Sequence, residues 1–141
     1  MQIIKTHFGE VKIDKEGIIN FTQGLPGFND LRSFVILPHE EGIPIYFLQS
    51  LDDTGVSFVI ANPYAFFPEY QVDVPSEDLA ELELPDLNNA LIYVILVVSQ
   101  DPANITANLL APVIINPEKR LSKQIVMTGE KYTTKHRLFA K

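Results

Sequence analysis

The stretch FVILPHEEGIPIYFLQSLDDTGVSFVIAN, residues 34–62, decides the fold class of this chain. It contains three apolar segments, FVILP (34–38), IYFLQS (45–50) and VSFVIAN (56–62), which are rich in the β-branched and aromatic residues that favour strands. HEEGIP and LDDTG lie between them, and their Gly, Pro and Asp residues are typical of turns. Three strands joined by short turns predict an antiparallel sheet.

The same pattern continues on both sides of this stretch. EVKID (10–14) alternates apolar and charged residues, and together with QIIKT (2–6) it predicts a hairpin that turns at Phe8-Gly9. LIYVILVV (91–98) predicts a strand that is covered by protein on both faces. APVIIN and KQIVMT predict further strands toward the C-terminus.

Helical signals are weak. PSEDLAELEL (75–84) has Ser76 as a candidate N-cap and acidic residues in its first turn, and NPEKRLSKQ (116–124) could add one more turn. Ten prolines spread through the chain argue against long helices. We therefore predict one all-β domain over residues 1–141, a compact antiparallel barrel-like or two-sheet domain with one or two short helical turns.

The charged residues are segregated along the chain. Between Arg32 and Lys119 there are thirteen Asp and Glu and no Lys or Arg, whereas seven of the eleven basic residues lie from Lys119 onward. Such an acidic body repels phosphate backbones and favours a basic protein partner, although it also fits a solvated surface that keeps the protein soluble. No apolar run is long enough to cross a membrane, and charge appears within the first five residues. We expect a soluble, cytoplasmic protein that binds neither nucleic acid directly nor a membrane.

The residues that usually carry catalysis are absent or scattered. The chain has no Cys, which excludes disulfides, thiolate metal sites and thiol catalysis. His7, His39 and His136 have no second His or carboxylate at ligand spacing, so we interpret each as a surface residue. No Ser lies in a nucleophile elbow, and the turn GLPG (24–27) lacks the Lys and hydroxyl of a phosphate loop. We expect no enzyme activity and no cofactor.

The segment VSFVIANPYAFFPEYQVDV (56–74) places four aromatic residues where we expect neither a helix nor a regular strand. Its two prolines fix the backbone, and the adjacent Phe66 and Phe67 point to opposite sides of the chain, so at most one of them is buried. The pattern leaves Phe67 open between a core position and an interface. It favours an interface for Phe66 and Tyr70, because aromatic rings beside carboxylates are typical of binding hot spots.

Several segments together resemble one known family. They are TQGLPGF (22–28), YFLQSLDD (46–53), FVIANPYAFFPEYQVDV (58–74), ITANLLAPVIIN (105–116) and KQIV with the later Tyr (123–132). In this order, across nearly the whole chain, they resemble the flagellar assembly factor FliW family. The resemblance implies a small, barrel-like cytoplasmic protein without enzyme activity that binds flagellin and, alternatively, the RNA-binding translational regulator CsrA. It also implies that the protein, once free of flagellin, antagonises CsrA allosterically and so controls flagellin synthesis.

This resemblance suggests a physical role for the acidic body. An acidic protein docked beside the basic RNA-binding surface of CsrA would lower its positive potential and repel phosphates. We hypothesise that aromatic anchors hold the partner while carboxylates supply the field. The residues are Phe66, Phe67 and Tyr70 as anchors, and Asp52, Asp53, Glu69 and Asp73 as the source of the field.

Three other functions compete with this hypothesis. A β-barrel that binds a small molecule without any regulatory partner would need an apolar cavity with a few convergent polar groups. A single-strand nucleic-acid binder would need basic residues interleaved with aromatic ones, whereas the aromatic segment here is acidic. A flagellin chaperone without a regulatory role would need only the flagellin-binding surface.

Overall fold

The structure is a computed structural model that describes residues 2–6, 9–39 and 41–139. Over these residues its main feature is a closed barrel of seven strands, with four further strands and two short α-helices outside it. The strands are β1 (Gln2–Thr6), β2 (Gly9–Ile13), β3 (Ile19–Phe21), β4 (Ser33–Pro38), β5 (Ile45–Ser50), β6 (Ser57–Ala61), β7 (Leu91–Val97), β8 (Thr106–Ala107), β9 (Val113–Asn116), β10 (Leu121–Gln124) and β11 (His136–Arg137); the helices are α1 (Pro63–Phe66) and α2 (Ser76–Glu81). The predicted all-β, barrel-like fold is confirmed.

The barrel closes in the order β3, β4, β5, β6, β7, β9 and β10, with β10 returning to β3. Every pairing in this ring is antiparallel except that of β10 with β3, which is parallel. A closed ring with an odd number of strands cannot alternate direction throughout, so one parallel pair is required. The expectation of a wholly antiparallel sheet is wrong at this one seam.

Four strands lie outside the barrel ring. β1 and β2 form the predicted hairpin, and Thr6 pairs with Gly9, which begins β2 rather than forming the turn. The other predicted turn residue, Phe8, lies outside the described residues. β8 pairs with the last residues of β7, and β11 pairs with β8, so the C-terminal segment extends this part of the sheet.

The barrel interior is filled by apolar side chains from alternate strand positions. Phe34, Leu48, Ile60 and Val113 are fully buried there, together with further aromatic and β-branched residues. This filling follows from the two-residue period of strands, which directs every second side chain inward. Side chains fill the interior of a barrel of this size, which favours binding on its outer surface.

Two further apolar clusters lie on the outer surface of the barrel. One packs β6, β7 and β8 against residues 66–72 and against Leu138 near the C-terminus. The other packs β9 and β10 against the segment that contains α2. β7 is therefore buried at Val94 and Leu96, but its ends remain exposed, with Val97 62% exposed, so full cover on both faces is wrong for this strand.

The two weak helical signals have different outcomes. α2 forms within the predicted segment, but Pro75 takes the N-cap position and Ser76 is the first helical residue, so the Ser76 cap is wrong. Pro75 has the extended backbone that a cap position requires, and its φ is the value that its ring imposes. The second predicted segment (116–124) contains a tight turn between β9 and β10 rather than a helix. The turn forms because the side-chain oxygen of Asn116 accepts the backbone N–H groups of Glu118 and Lys119.

Candidate protein-binding surface

The aromatic segment begins with one turn of helix, α1. The side-chain oxygen of Asn62 accepts the Tyr64 backbone N–H at 3.0 Å, and Pro63 occupies the first helical position, where its missing N–H costs nothing. Phe67 closes the turn by donating its N–H to the Pro63 carbonyl at 2.7 Å. The expectation that the prolines exclude a helix here is therefore wrong, because one of them starts it.

Tyr70 is buried, so the expectation that its ring faces a partner is wrong for this chain. Its side chain is only 5% exposed, and its hydroxyl donates to the Leu109 carbonyl at 2.6 Å. Burial raises the pKa of this hydroxyl well above its usual range, and the neighbouring Tyr64 and Tyr132 add to the effect. Tyr70 anchors the segment to the barrel, and the adjacent rings remain closer to solvent.

Phe66 and Phe67 are both half-buried, so neither is a core plug and neither stands free. The Phe66 ring meets Phe139 edge-on at a centroid distance of 5.9 Å, and the Phe67 ring meets His136 in the same way at 5.6 Å. Each phenylalanine therefore packs on one side against the C-terminal segment and leaves its other side accessible. Their proposed role as anchors fits this arrangement.

The C-terminal segment supplies residues that the sequence interpretation missed. The Tyr132 ring packs on Tyr70 at 4.8 Å, and its hydroxyl accepts the Gln71 backbone N–H at 2.9 Å. The Thr133 carbonyl accepts the backbone N–H groups of Leu109 and Leu110, and Leu138 is buried. The two-residue spacing of His136 and Leu138 was a weak local signal for the short strand β11, and no such spacing includes Tyr132.

We call residues 62–73 together with residues 131–139 the aromatic face. It contains an open groove of about 540 Å³, which we call the aromatic groove. Its lining residues are Phe66, Phe67, Pro68, Glu69, Tyr70, Leu109, Lys131, Tyr132 and His136. Rings therefore form most of its walls, and one carboxylate and one ammonium group lie among them.

The four predicted field carboxylates fall into two separate pairs. Asp52 accepts the backbone N–H groups of Arg32 and Ser33 at 2.7 and 2.9 Å, and Asp53 accepts that of Gly55 at 3.0 Å. Both lie in the loop before β6, whose five residues span about 16 Å and separate this loop from α1. The structure does not place this pair in the aromatic groove.

Glu69 and Asp73 lie on the aromatic face and are exposed. Within the described part of the chain neither carboxylate makes a hydrogen bond or a salt bridge, although the backbone N–H of Asp73 donates to the Met127 sulfur. These two acids therefore keep their charge available to a partner. Of the predicted site residues, the structure brings together Phe66, Phe67, Glu69 and the buried Tyr70.

Neither of the two described histidines, His39 and His136, belongs to a candidate metal site. His39 is exposed and stacks on Phe47, His136 lies in the aromatic groove, and His7 lies outside the described residues. Among residues 2–6, 9–39 and 41–139, no group of three His, Cys, Asp or Glu residues could hold a metal ion. Over the same ranges, no helix is both long and apolar enough to cross a membrane.

Comparison with known proteins identifies the family of this chain. The sequence model described as "FliW protein" matches residues 2–138. The chain belongs to the FliW family. The resemblance inferred from the sequence segments is thus confirmed, and both halves of the aromatic face lie almost entirely within the matched range.

Individual FliW proteins are similar to this chain over nearly their whole length. The flagellar assembly factor FliW of Natranaerobius thermophilus is 44% identical, over 99% of this chain and 93% of that protein. That of Syntrophomonas wolfei is 42% identical, over 99% and 89% respectively. A crystal structure of the flagellar assembly factor FliW matches with a TM-score of 0.90 and 39% identity, and covers 99% of this chain and 98% of the other. These FliW relatives are named as assembly factors rather than as enzymes.

Proposed function

We propose that this chain is a cytoplasmic flagellar assembly factor that binds flagellin and, when free of flagellin, binds CsrA. In the CsrA complex it antagonises RNA binding allosterically and so controls flagellin synthesis. Family membership supports the flagellar role, because the similar FliW proteins carry the name of assembly factors. The partners follow from the resemblance to that family and from the chemistry of the surface.

One observation carries the proposal: two half-exposed rings lie on a capped turn beside Glu69, whose carboxylate has no bonding partner among the described residues. Phe66 and Phe67 supply apolar area that needs little ordering on binding, because α1 and the C-terminal segment already hold them. Glu69 supplies negative charge in the same groove, and the exposed Asp73 adds a second carboxylate further along the segment. A surface of this kind suits a protein partner better than a small molecule.

The effect on CsrA follows from charge. Residues 33–118 contain no Lys or Arg, so docking this chain beside a basic RNA-binding surface lowers the positive potential there without occupying the RNA site. Screening at physiological salt acts over about 8 Å, so the acids nearest the contact dominate. Glu69 and Asp73 are therefore the main source of the field, while Asp52 and Asp53 act only at long range.

Co-elution tests the proposal directly. The purified chain is passed over a size-exclusion column with purified flagellin, with purified CsrA, and with both together. We expect a complex with each partner alone and, in the mixture, loss of the CsrA complex as flagellin is added. Failure to bind either protein would reject the proposed function, and binding of flagellin alone would leave a chaperone without the regulatory role.

A variant pair tests whether the aromatic face makes the contact. Phe66→Ala with Phe67→Ala should weaken binding to the partner by about tenfold or more, since truncated hot-spot rings cost this much. Phe28→Ala is the matched control, because Phe28 is a similarly exposed ring that packs on Phe58 away from the aromatic face. Equal losses in both variants would place the contact elsewhere.

A further inference from the structure

The aromatic groove continues into a second pocket with a different charge. This pocket, of about 440 Å³, is lined by Phe67, Thr133, Lys135, His136 and Arg137. It shares the Phe67 and His136 rings with the groove, so the two depressions lie on either side of that ring pair. We call the second depression the cationic pocket.

The aromatic groove and the cationic pocket differ in charge. In the aromatic groove Glu69 and Lys131 carry opposite charges, so its lining has no net charge. In the cationic pocket Lys135 and Arg137 are exposed, and within the described residues neither forms a salt bridge. The described residues that line this pocket include no carboxylate. It is a positive site on a chain whose formal net charge is −7.

We propose that the groove and the pocket together bind one extended segment of flagellin, in which an apolar side chain is followed by an acidic one. The apolar side chain enters the aromatic groove, and the carboxylate meets Lys135 and Arg137. Because the groove takes the apolar side chain and the positive pocket takes the carboxylate, the segment can bind in one direction only. The positive charge of the pocket also selects an acidic segment over a basic one. The occupant's identity as flagellin rests on the proposed function; the apolar-then-acidic pattern does not.

The same charges disfavour the other proposed partner at this site. CsrA is proposed to approach with a basic surface, and like charges facing one another cost binding energy. CsrA therefore docks on the acidic surface around Glu69 and Asp73 and not in the cationic pocket. Phe66 and Phe67 lie between the two surfaces, so a bound flagellin segment covers part of the CsrA contact. The two partners therefore cannot bind this chain at the same time.

Two short peptides test the charge pattern without any partner protein. The probes are the blocked hexapeptides Gly-Leu-Phe-Asp-Asp-Gly and Gly-Leu-Phe-Lys-Lys-Gly, titrated into the isotope-labelled chain and followed by amide NMR shifts. We expect the acidic peptide to shift the signals of Phe67 and residues 133–137, with an affinity at least about tenfold above that of the basic peptide. Equal affinities, or shifts outside the aromatic face, would overturn the inference.

Charge reversal tests the same point in the protein. Lys135→Glu with Arg137→Glu should reverse the peptide preference and weaken flagellin binding by about tenfold, and it should not weaken binding to the basic surface of CsrA. Lys12→Glu with Lys119→Glu is the control, because it changes the net charge equally at exposed positions elsewhere. If both double variants behave alike, the pocket has no special role.

The two proposals fail in different ways. If the unmodified chain binds neither flagellin nor CsrA, the proposed function is wrong whatever the peptides show. If it binds both proteins and the reversed variant still binds flagellin fully, only the inference about the pocket is wrong.

Discussion

Two regions of this protein contain exposed carboxylates near aromatic rings, and they use them differently. At the turn end, formed by loops 22–32 and 51–56, Asp52 and Asp53 accept backbone N–H groups, and the bonds of Asp52 to Arg32 and Ser33 hold the two loops together. On the aromatic face, Glu69 and Asp73 make no such bond within the described residues. Acids that look alike in the sequence therefore divide into structural ones and ones available to a partner.

The largest change should come from the turn end at Gly24. A Cβ atom at this position would lie 2.3 Å from the Asn29 Cα, and backbone cannot move aside as a side-chain tip can. Gly24→Ala should therefore lower the free energy of unfolding by about 3 kcal/mol. Urea unfolding followed by circular dichroism measures the loss. Gly17→Ala is the control, since its Cβ would meet only the Val35 side chain at 3.9 Å, and equal losses would contradict the argument.

The ion cluster beside the turn end should come next. Lys123 lies 2.5 Å from both Asp78 and Glu81 and joins α2 to β10, while Gln23 of loop 22–32 donates to Glu81. Lys123→Met should lower the free energy of unfolding at pH 7 by about 2 kcal/mol, between the values for exposed and buried pairs. The exposed Lys119→Met should have almost no effect.

The pH dependence sharpens this prediction. The hydrogen bond from Lys123 lowers the pKa of Glu81, so this stabilisation is complete above the ordinary carboxyl value of 4.5 and is lost as the pH falls through the lowered value. Burial alone would lower the pKa of Lys123, but its bonds to Asp78 and Glu81 raise it above 10.5, so its contribution is lost only in strong alkali. The gap between the urea midpoints of the two proteins should narrow as the pH falls below 4.5. A gap that stays constant as the pH is lowered until the carboxylates are protonated would contradict this mechanism.

A pair of aspartates tests the division between the two regions directly. Asp52→Ala removes the acceptor of two backbone N–H groups and should cost about 1.5 kcal/mol of unfolding free energy. Asp73→Ala removes an exposed carboxylate that bonds no other described residue, and its effect should stay within about 0.5 kcal/mol. Parallel urea titrations compare them. A larger loss at Asp73 would mean that the aromatic face is also built around its acids.

The barrel was predictable because its signals are local. Strands β4, β5 and β6 form within two residues of the predicted bounds, since their apolar runs and the turns between them specify both period and register. The parallel seam between β3 and β10 was not predictable, because it depends on the number of strands in the ring. Strand count is a global property that no single segment carries.

The aromatic face was only partly predictable for the same reason. Asn62 followed by Pro63 is a local signal for a helix start, but the second proline, Pro68, limits this helix to a single turn that a periodicity of apolar residues does not reveal. The contact of Tyr132 with Gln71 joins residues 61 positions apart, and no pattern in either segment points to the other. The burial of Tyr70 depends on that long-range contact, whereas the half-exposure of Phe66 and Phe67 follows the expectation that the segment presents rings.

The smallest effect on stability should accompany the clearest effect on binding. Glu69→Gln with Asp73→Asn keeps side-chain shape and removes two charges that have no bonding partner within the described residues, so the unfolding free energy should change by less than about 0.5 kcal/mol. If these acids supply the field, the variant should bind CsrA more weakly, release less RNA from it, and show a shallower dependence of affinity on salt.

Glu10→Gln with Glu118→Gln removes the same charge from exposed positions elsewhere and should leave the salt dependence unchanged. Parallel slopes for the two variants would mean that net charge acts and that the position of the acids does not. A slope that falls only for the first variant would tie the antagonism to the aromatic face, because only nearby charges escape screening at physiological salt.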